Sequence, residues 1–383
     1  MSTASAPVLN PKVRTITGFV QFNGDLTQIT NTLTVLRKAK TEFESSGYEV
    51  ETLRVTTNPF PDYVNGMPVD KALALLKQLD DLSVQEGCTV NIGTAMLNDS
   101  DDPSFMPLLQ QALSTLPHIE ASAIIADANG IHWKTIALAA DLVKYVSENS
   151  PGGLGNMRFA VSAMQDEYSP FFPGSYFNDE GEQFGIGIEC ASAVNDILIK
   201  DKGNYVGAIP DLTAALTQQM AIPNAVSRKV EQETSWNGGA EATTASHGGI
   251  SIASAVEAYT GEKFGSPGTL TALLLIANAV GPGLMPGVME DKLLAQRWAE
   301  GAYTMDSLFA YSAVGMAGLD TVPLPGDVTL GQLKRIFSDV ALLATKCNLP
   351  VSARLIPAPG KIAGDMTDFD GTDLFNTIVH RLS

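Results

Sequence analysis

From residue 13 onward the chain switches repeatedly between short apolar runs and longer segments whose apolar residues recur every three to four positions. The short runs read as buried strands and the periodic segments as amphipathic helices. Strands are expected over 13–22, 48–55, 89–92, 121–126, 159–164, 184–188, 319–324 and 351–357. Helices are expected over 26–44, 69–85, 105–113, 133–146, 191–199, 212–229, 270–280, 292–302 and 330–345, the last with Thr329 as its N-cap. Alternation of this kind lays helices over a sheet, so it predicts a mixed α/β architecture rather than separate all-α and all-β pieces. The small, polar stretch 233–249 is expected to be a loop.

With 383 residues, 45% of them hydrophobic, the chain can bury a large core. No fixed-period repeat or low-complexity tract interrupts it, and the apolar pattern resumes directly after the Gly-rich break at 151–155. Residues 11–383 are therefore expected to form one domain behind a disordered tail, 1–10. The excess of 42 acidic over 24 basic residues, a net charge of -18, repels phosphate backbones and anionic membranes, which argues against nucleic acid and membrane partners. The plain reading of that acidity is a solvated surface. The most apolar segment, 270–280, is about half the ~20 residues of a membrane span. Gly281-Pro282-Gly283 ends it, so it reads as a buried core helix. Three scattered cysteines, Cys88, Cys190 and Cys347, point to a reducing compartment. With no secretory pattern at the N-terminus, a cytoplasmic protein is expected.

Four segments carry a resemblance: Val13-Arg14-Thr15-Ile16-Thr17, the aromatic stretch 170–177, Ala313-Val314-Gly315-Met316-Ala317-Gly318-Leu319-Asp320 with its continuation to Pro325, and Arg354-Leu355-Ile356-Pro357 through Gly364-Asp365. Together they resemble the family catalogued as domain of unknown function 711. The resemblance implies a glycyl-radical-enzyme-like α/β barrel, a mixed sheet surrounded by helices as in pyruvate formate-lyase, in shorter form. Fold does not imply reaction. A glycyl radical enzyme needs an Arg-Val-x-Gly-aromatic motif near its C-terminus, and residues 370–383 lack one, so radical chemistry is not expected. Cys190 follows a strand where a barrel cysteine would point inward, although the family resembled has a Gly- and Ser-containing turn there.

Several groups suit chemistry. Arg354, Lys361 and Asp365 lie where the last strand breaks into Pro and Gly, a rim on which a cation pair could hold an anion. Asp166 and Glu167 follow the strand over 159–164, a position suited to acid/base work, with Tyr168, Phe171, Phe172, Tyr176 and Phe177 as pocket wall or as the underside of a plain surface loop. Asp127 to Gly130 reads as an Asx turn that presents His132, a candidate proton shuttle. His247, among hydroxyls and glycines, suits oxyanion binding but has no partner acid at a telling spacing. The four histidines make no metal motif. A carboxylate site for Mg²⁺ or Ca²⁺ built from Asp127, Asp166, Glu167 and Glu189 stays open, while the acidic run 98–102 lacks the glycine and distal glutamate of a calcium loop. No phosphate-binding glycine motif is present.

The chain thus reads as an enzyme of small-molecule metabolism, a lyase, isomerase or hydrolase, acting on a small polar or carboxylate-bearing substrate. Arg354 and Lys361, with Asp365 and His247 beside them, would orient the anion. Asp166 or Glu167 would move a proton, with His132 or Cys190 as second participant. The alternatives are a non-catalytic small-molecule-binding or regulatory protein, and a homo-oligomer whose aromatic loop is buried by a second chain.

Overall fold

The structure, a computed structural model, describes residues 11–172, 174–246 and 249–382. The expected tail and His247 lie outside them. Eleven strands form one mixed sheet: β1 (Lys12–Val20), β2 (Glu49–Val50), β3 (Leu53–Thr57), β4 (Thr89–Thr94), β5 (Ile119–Asp127), β6 (Gly130–Ile131), β7 (Phe159–Ala163), β8 (Gln183–Glu189), β9 (Asn237–Thr243), β10 (Gly318–Pro325) and β11 (Val351–Ala358). The order across it is β10-β11-β7-β5-β4-β3-β1-β8-β9, with β2 on β1 and β6 on β5. Strands β7, β5, β4, β3 and β1 run parallel, and the parallel pairs β10/β11 and β8/β9 flank them in the opposite direction.

Thirteen α-helices and two 3₁₀ helices, Pro103–Phe105 and Pro151–Arg158, are present among the described residues. The first half holds α1 (Leu26–Ser45), α2 (Phe60–Val64), α3 (Val69–Glu86), α4 (Met106–Thr115) and α5 (Trp133–Asn149). The second holds α6 (Ala191–Lys200), α7 (Tyr205–Gln219), α8 (Ala221–Thr234), α9 (Ile252–Thr260), α10 (Thr269–Val280), α11 (Lys292–Ala299), α12 (Met305–Ser312) and α13 (Leu330–Cys347). The capping box of Thr329 and Gln332 starts α13 as its sequence requires.

The period of two in a strand sends alternate residues to opposite faces, and here the faces differ in kind. On β1, Gly18 meets α1 so closely that a Cβ would lie 2.5 Å from Thr32 Cγ2, while its neighbour Thr17 donates its hydroxyl to the Pro170 carbonyl on the other side. The outer face is therefore apolar and helix-covered. The inner face carries Thr17, Arg54, Asn91, Glu120, Ser162 and Arg354. A crossing segment, described over 164–172 and 174–177, rather than a helix lies against that polar face. Arg54 donates to the Pro170 carbonyl, Asn91 to the Ser175 carbonyl, and the Phe177 amide to the Thr57 carbonyl. Gly185 and Gly187 on β8 make room for it, since a Cβ on Gly187 would come within 2.3 Å of the Phe171 ring.

A closing segment, 283–290, joins the two ends of the strand path. The Leu284 carbonyl accepts from the Thr244 amide just past β9, and the Val288 amide donates to the Asp320 carbonyl on β10. The sheet thereby curls into a barrel-like shell whose last gap is bridged by irregular chain.

Three expectations need correction. The loop expected over 233–249 contains β9, paired residue for residue with β8; its Gly-Gly-Ala composition hides it because it has one strand neighbour and an open face, so it requires few apolar side chains. The helix expected over 212–229 is two helices, because Pro223 has no N–H to offer the Gln219 carbonyl and the chain turns at Met220. The helix over 270–280, expected to be buried, is α10 in the surface layer, with Leu270 and Leu274 exposed.

A charged cavity as the candidate functional site

Between the concave face, the crossing segment and the closing segment lies a cavity of about 640 Å³. It opens where the parallel strands begin and where β8 and β9 end. Arg14, Arg54 and Glu120 reach it from the first turns of β1, β3 and β5, and Arg158 from just before β7. Asp320 and Arg354 come from β10 and β11, and Glu290 from the closing segment. Phe171, Phe172, Leu374 and Phe375 supply apolar lining, and Thr372 and Asp373 of the same turn add a hydroxyl and a carboxylate.

Arg354 is the best-defined group. Its Nε and Nη2 donate to the two carboxylate oxygens of Asp320 at 2.7 and 2.8 Å, Nη2 also donates to Glu290, and its guanidinium stands 5.8 Å from the Phe172 ring centre. Burial opposes its charge, but Asp320 and Glu290 outweigh burial and raise its pKa above that of an ordinary arginine. The two acids respond differently. Burial, with Glu290 nearby, raises the Asp320 carboxyl despite Arg354, whereas in Glu290 burial is overcome by Arg354 and the Gly287 amide, so that carboxyl is lowered. One cation thus serves two acids whose proton affinities are pushed apart.

The other arginines are matched unequally. Arg54 pairs with Glu120 at 3.0 Å. Lys12 pairs with Glu51 at 2.8 Å and with Glu49 at 3.9 Å, and Arg14 pairs with Glu51 at 3.0 Å, so the charges at that edge are balanced. Arg158 donates from Nη2 to the Leu113 carbonyl at 2.7 Å; its Nε has no partner, and no carboxylate lies within ion-pair distance among the described residues. Burial lowers its pKa. The under-paired cation of the cavity is therefore Arg158, while Asp320 and Glu290 stand together on Arg354.

Of the residues singled out from sequence, Arg354 lines this cavity. Lys361 turns away to Asp368 at 3.0 Å, and Asp365 folds its own turn by accepting from the Ile362 amide. Asp166 and Glu167 sit at the far end of the crossing segment, Asp166 beside Glu241 and Glu167 beside Tyr176. His132 is buried with Nδ1 at 3.1 Å from the Ile124 carbonyl oxygen and Nε2 at 3.3 Å from Asp127, outside the cavity. The expected Asx turn is present, with the Asn129 amide donating to Asp127 at 2.7 Å. Cys190 belongs to the apolar core, where burial pushes its thiol up to about 12, and it does not line the cavity. Ser246, next to His247, does line the cavity and donates to Glu189 at 2.8 Å. Among the described residues no three acidic, histidine or cysteine side chains are grouped to hold a metal ion, so Asp127, Asp166, Glu167 and Glu189 form no common site. The aromatics Phe171 and Phe172 are engaged within their own chain rather than held out for a second one.

Sequence reading missed Arg14, Arg54, Glu120, Arg158, Glu290 and Asp320. For four of them a signal was present. Arg14, Arg54, Glu120 and Asp320 interrupt apolar strands, and a charge in a buried strand needs a partner or a purpose.

Comparison with known proteins gives relatives but no activity. A UPF0210 protein of Pyrobaculum aerophilum is 28% identical over 360 residues, covering 85% of this chain and 77% of its own length. A UPF0210 protein of Methanococcoides burtonii is 26% identical over 354 residues, covering 85% and 78%. Among solved structures, the anaerobic ribonucleotide reductase of Thermotoga maritima with citrate in its active site is similar at 9% identity and a TM-score of 0.43, over 90% of this chain and 80% of that one. That likeness carries no argument about chemistry. The family model described as uncharacterised ACR, DUF711, matches residues 8–370, and the chain belongs to that family.

Proposed function

We propose that the protein is an enzyme of small-molecule metabolism that holds a small polar substrate with an anionic group in the interior cavity and acts on it by acid/base chemistry. The observation that carries this reading is the convergence of Arg14, Arg54, Arg158 and Arg354 with Glu120, Glu290 and Asp320, drawn from five strands, the chain just before β7 and the closing segment, on one cavity. Taking an ion out of water costs several kcal/mol, and a well-packed apolar interior would serve folding better. Fixed charges around a space of ligand size instead favour preorganised recognition. The under-paired guanidinium of Arg158 suits the anion. The Asp320 and Glu290 pair, with one carboxyl raised and the other lowered, suits proton transfer, a role assigned here in place of Asp166 and Glu167.

The second reading, a non-catalytic binder, is favoured by the saturation of Arg354, which both acids hold as a structural tie would. The compartment proposed is the cytoplasm, in keeping with the free cysteines Cys88, Cys190 and Cys347. No helix among the described residues is long and apolar enough to cross a membrane.

The test is to incubate the purified protein with a polar metabolite extract and identify retained and converted compounds by mass spectrometry. Wild type should retain an acid-bearing compound that Arg158→Gln loses, and Asp320→Asn should retain it without converting it. Equal retention by wild type and Arg158→Gln refutes the placement of the site. Retention with no conversion by wild type favours the binder.

A further inference from the structure

The charges lining the cavity balance in sum but not in place. Among the described residues of the wall, four arginines stand with four carboxylates, Glu120, Glu290, Asp320 and Asp373. Arg54 and Glu120 neutralise each other at 3.0 Å, and Arg14 pairs with Glu51, which is not part of the wall. Arg158 has no such partner. It engages Nη2 on the Leu113 carbonyl, while its Nε and Nη1 bond nothing among the described residues, and Asp80 and Glu120 act on it only from a distance.

The carboxylates show the converse. Asp320 and Glu290 share the one guanidinium of Arg354. Glu290 is the more accessible of the two, its side chain 24% exposed against 9% for Asp320. Its Oε1 accepts from Arg354 and its Oε2 from the Gly287 amide at 3.1 Å, and each oxygen keeps a second lone pair. Burial opposes its charge, but Arg354, the Gly287 amide and, from a distance, Arg14 keep this carboxyl low, so an ionised acceptor stands ready for a cation.

We infer that the ligand is a zwitterion of the amino-acid class, with its carboxylate on the free donors of Arg158, its ammonium on Glu290 and its side chain among Phe171, Phe172, Leu374 and Phe375. The inference rests on the proposed reading of the cavity as the site of an anion-bearing molecule, and it narrows that molecule. Charge selects the class. A ligand of net charge zero leaves the balance of the wall intact, whereas a plain acid engages Arg158 and adds a negative charge beside Glu290, and a plain amine does the reverse. A dianion such as a phosphate monoester brings two negative charges to a wall with one under-paired cation. A cavity of about 640 Å³ has room for a free amino acid or for a dipeptide, whose ends carry the same two groups.

Titration calorimetry on the full chain tests the inference with apolar and aromatic L-amino acids and their dipeptides, each beside its deaminated acid and its decarboxylated amine. At least one zwitterion should bind about tenfold or more tighter than either analogue, because a site built around both groups is left with an unpaired charge when one is missing. Whether the free amino acid or the dipeptide binds better reports the spacing of the two subsites, and either result supports the class. Arg158→Gln should weaken the zwitterion and its deaminated acid alike, about tenfold or more. Glu290→Gln should weaken the zwitterion by as much without weakening the deaminated acid. Circular dichroism checks that the variants fold, and the wild-type analogue series decides the question if one does not. Deaminated acids that bind as tightly as their parent zwitterions overturn the inference and leave the anion-binding reading standing. A panel in which nothing binds overturns the inference too, and the anion-binding reading falls with it only if the metabolite extract also returns no acid.

Discussion

Replacing Arg354 by methionine keeps most of the side-chain volume and removes the cation bonded to both buried Asp320 and half-buried Glu290. Asp320 loses its bidentate pair at 2.7 and 2.8 Å, and Glu290 loses its partner on the same guanidinium. Breaking a buried ion pair from one side costs about 3–5 kcal/mol, and the lost contact with Phe172 adds about 0.5–1 kcal/mol. Against a total stability of about 5–15 kcal/mol, that is a third or more. The loss has a pH signature. The Asp320 carboxyl, raised even beside Arg354, rises further without it, so the folded variant holds a proton that the unfolded chain releases. Its stability is best preserved below the ordinary carboxylate range and falls as pH rises through the raised value. The wild-type contribution of Glu290 has the opposite sign: its carboxyl is lowered, so that contribution is present above the ordinary range and is lost as pH falls through the folded value. Urea midpoints at unchanged m, measured near pH 5 and near pH 8, read both effects. The triple variant Arg354→Met, Asp320→Asn, Glu290→Gln should recover most of the loss, because removing a whole buried cluster is often neutral. A deficit below about 1 kcal/mol near pH 8, or an equal deficit near pH 5, would refute the view that one arginine holds both acids.

Asp291 accepts from Ser251 Oγ and the Ile252 amide at the start of α9 and from the Leu293 and Leu294 amides at the start of α11. Asp291→Ala should therefore cost about 2–4 kcal/mol in urea unfolding, the sum of two lost caps, with Asp291→Asn in between. Gly187→Val should force the Phe171 ring off β8, at a cost of about 1–3 kcal/mol, and make residues 165–177 the first site of limited proteolysis. Glu241 keeps open surface yet is closely crowded by protein; burial first, and then the Asp166 carboxylate, push its carboxyl up to about 7. Its contribution to stability is present below the ordinary glutamate value and is lost as pH rises through about 7, so Glu241→Gln should flatten that fall in the urea midpoint. Carbon-detected NMR titration should show the raised midpoint and a downward shift in Asp166→Asn.

The helix-covered side of the protein was largely legible because its signals are local. Periodicity alone places α1, α5 and α13 within a few residues of their observed ends, since each buries one stripe on the sheet. The cavity was not, because its pairs are remote in sequence: Arg54 and Glu120 are 66 residues apart, and Arg354 and Glu290 are 64 apart. Lys361 and Asp365 misled by their nearness to Arg354. The turn after β11, with Gly360 at φ 76°, carries them past the rim and out. Asp166 and Glu167 misled through the rule that sites lie at the C-terminal ends of parallel strands. Here the crossing segment fills that end, and the charges gather at the other.

That placement follows from the mixed direction of the sheet. Because β8 and β9 run against the central five strands, their last residues meet the first residues of β1, β3 and β5 at one rim. A wholly parallel shell would bring only strand starts there. The polar inner face is then covered by irregular chain, since a helix would bring its own apolar stripe against hydroxyls and charges. The crossing segment can press close where β8 offers Gly185 and Gly187. The closing segment can press close where Gly287 faces Asp320, a Cβ there lying 2.7 Å from its carbonyl. It follows that ligand choice rests with the segments 164–177, 283–290 and 372–375, which can change in sequence without repacking the outer core. Grafting those three segments from a relative should transfer ligand retention while leaving the urea m-value that of this chain, and a graft that folds but keeps the original ligand would assign selectivity to the arginines of the sheet instead.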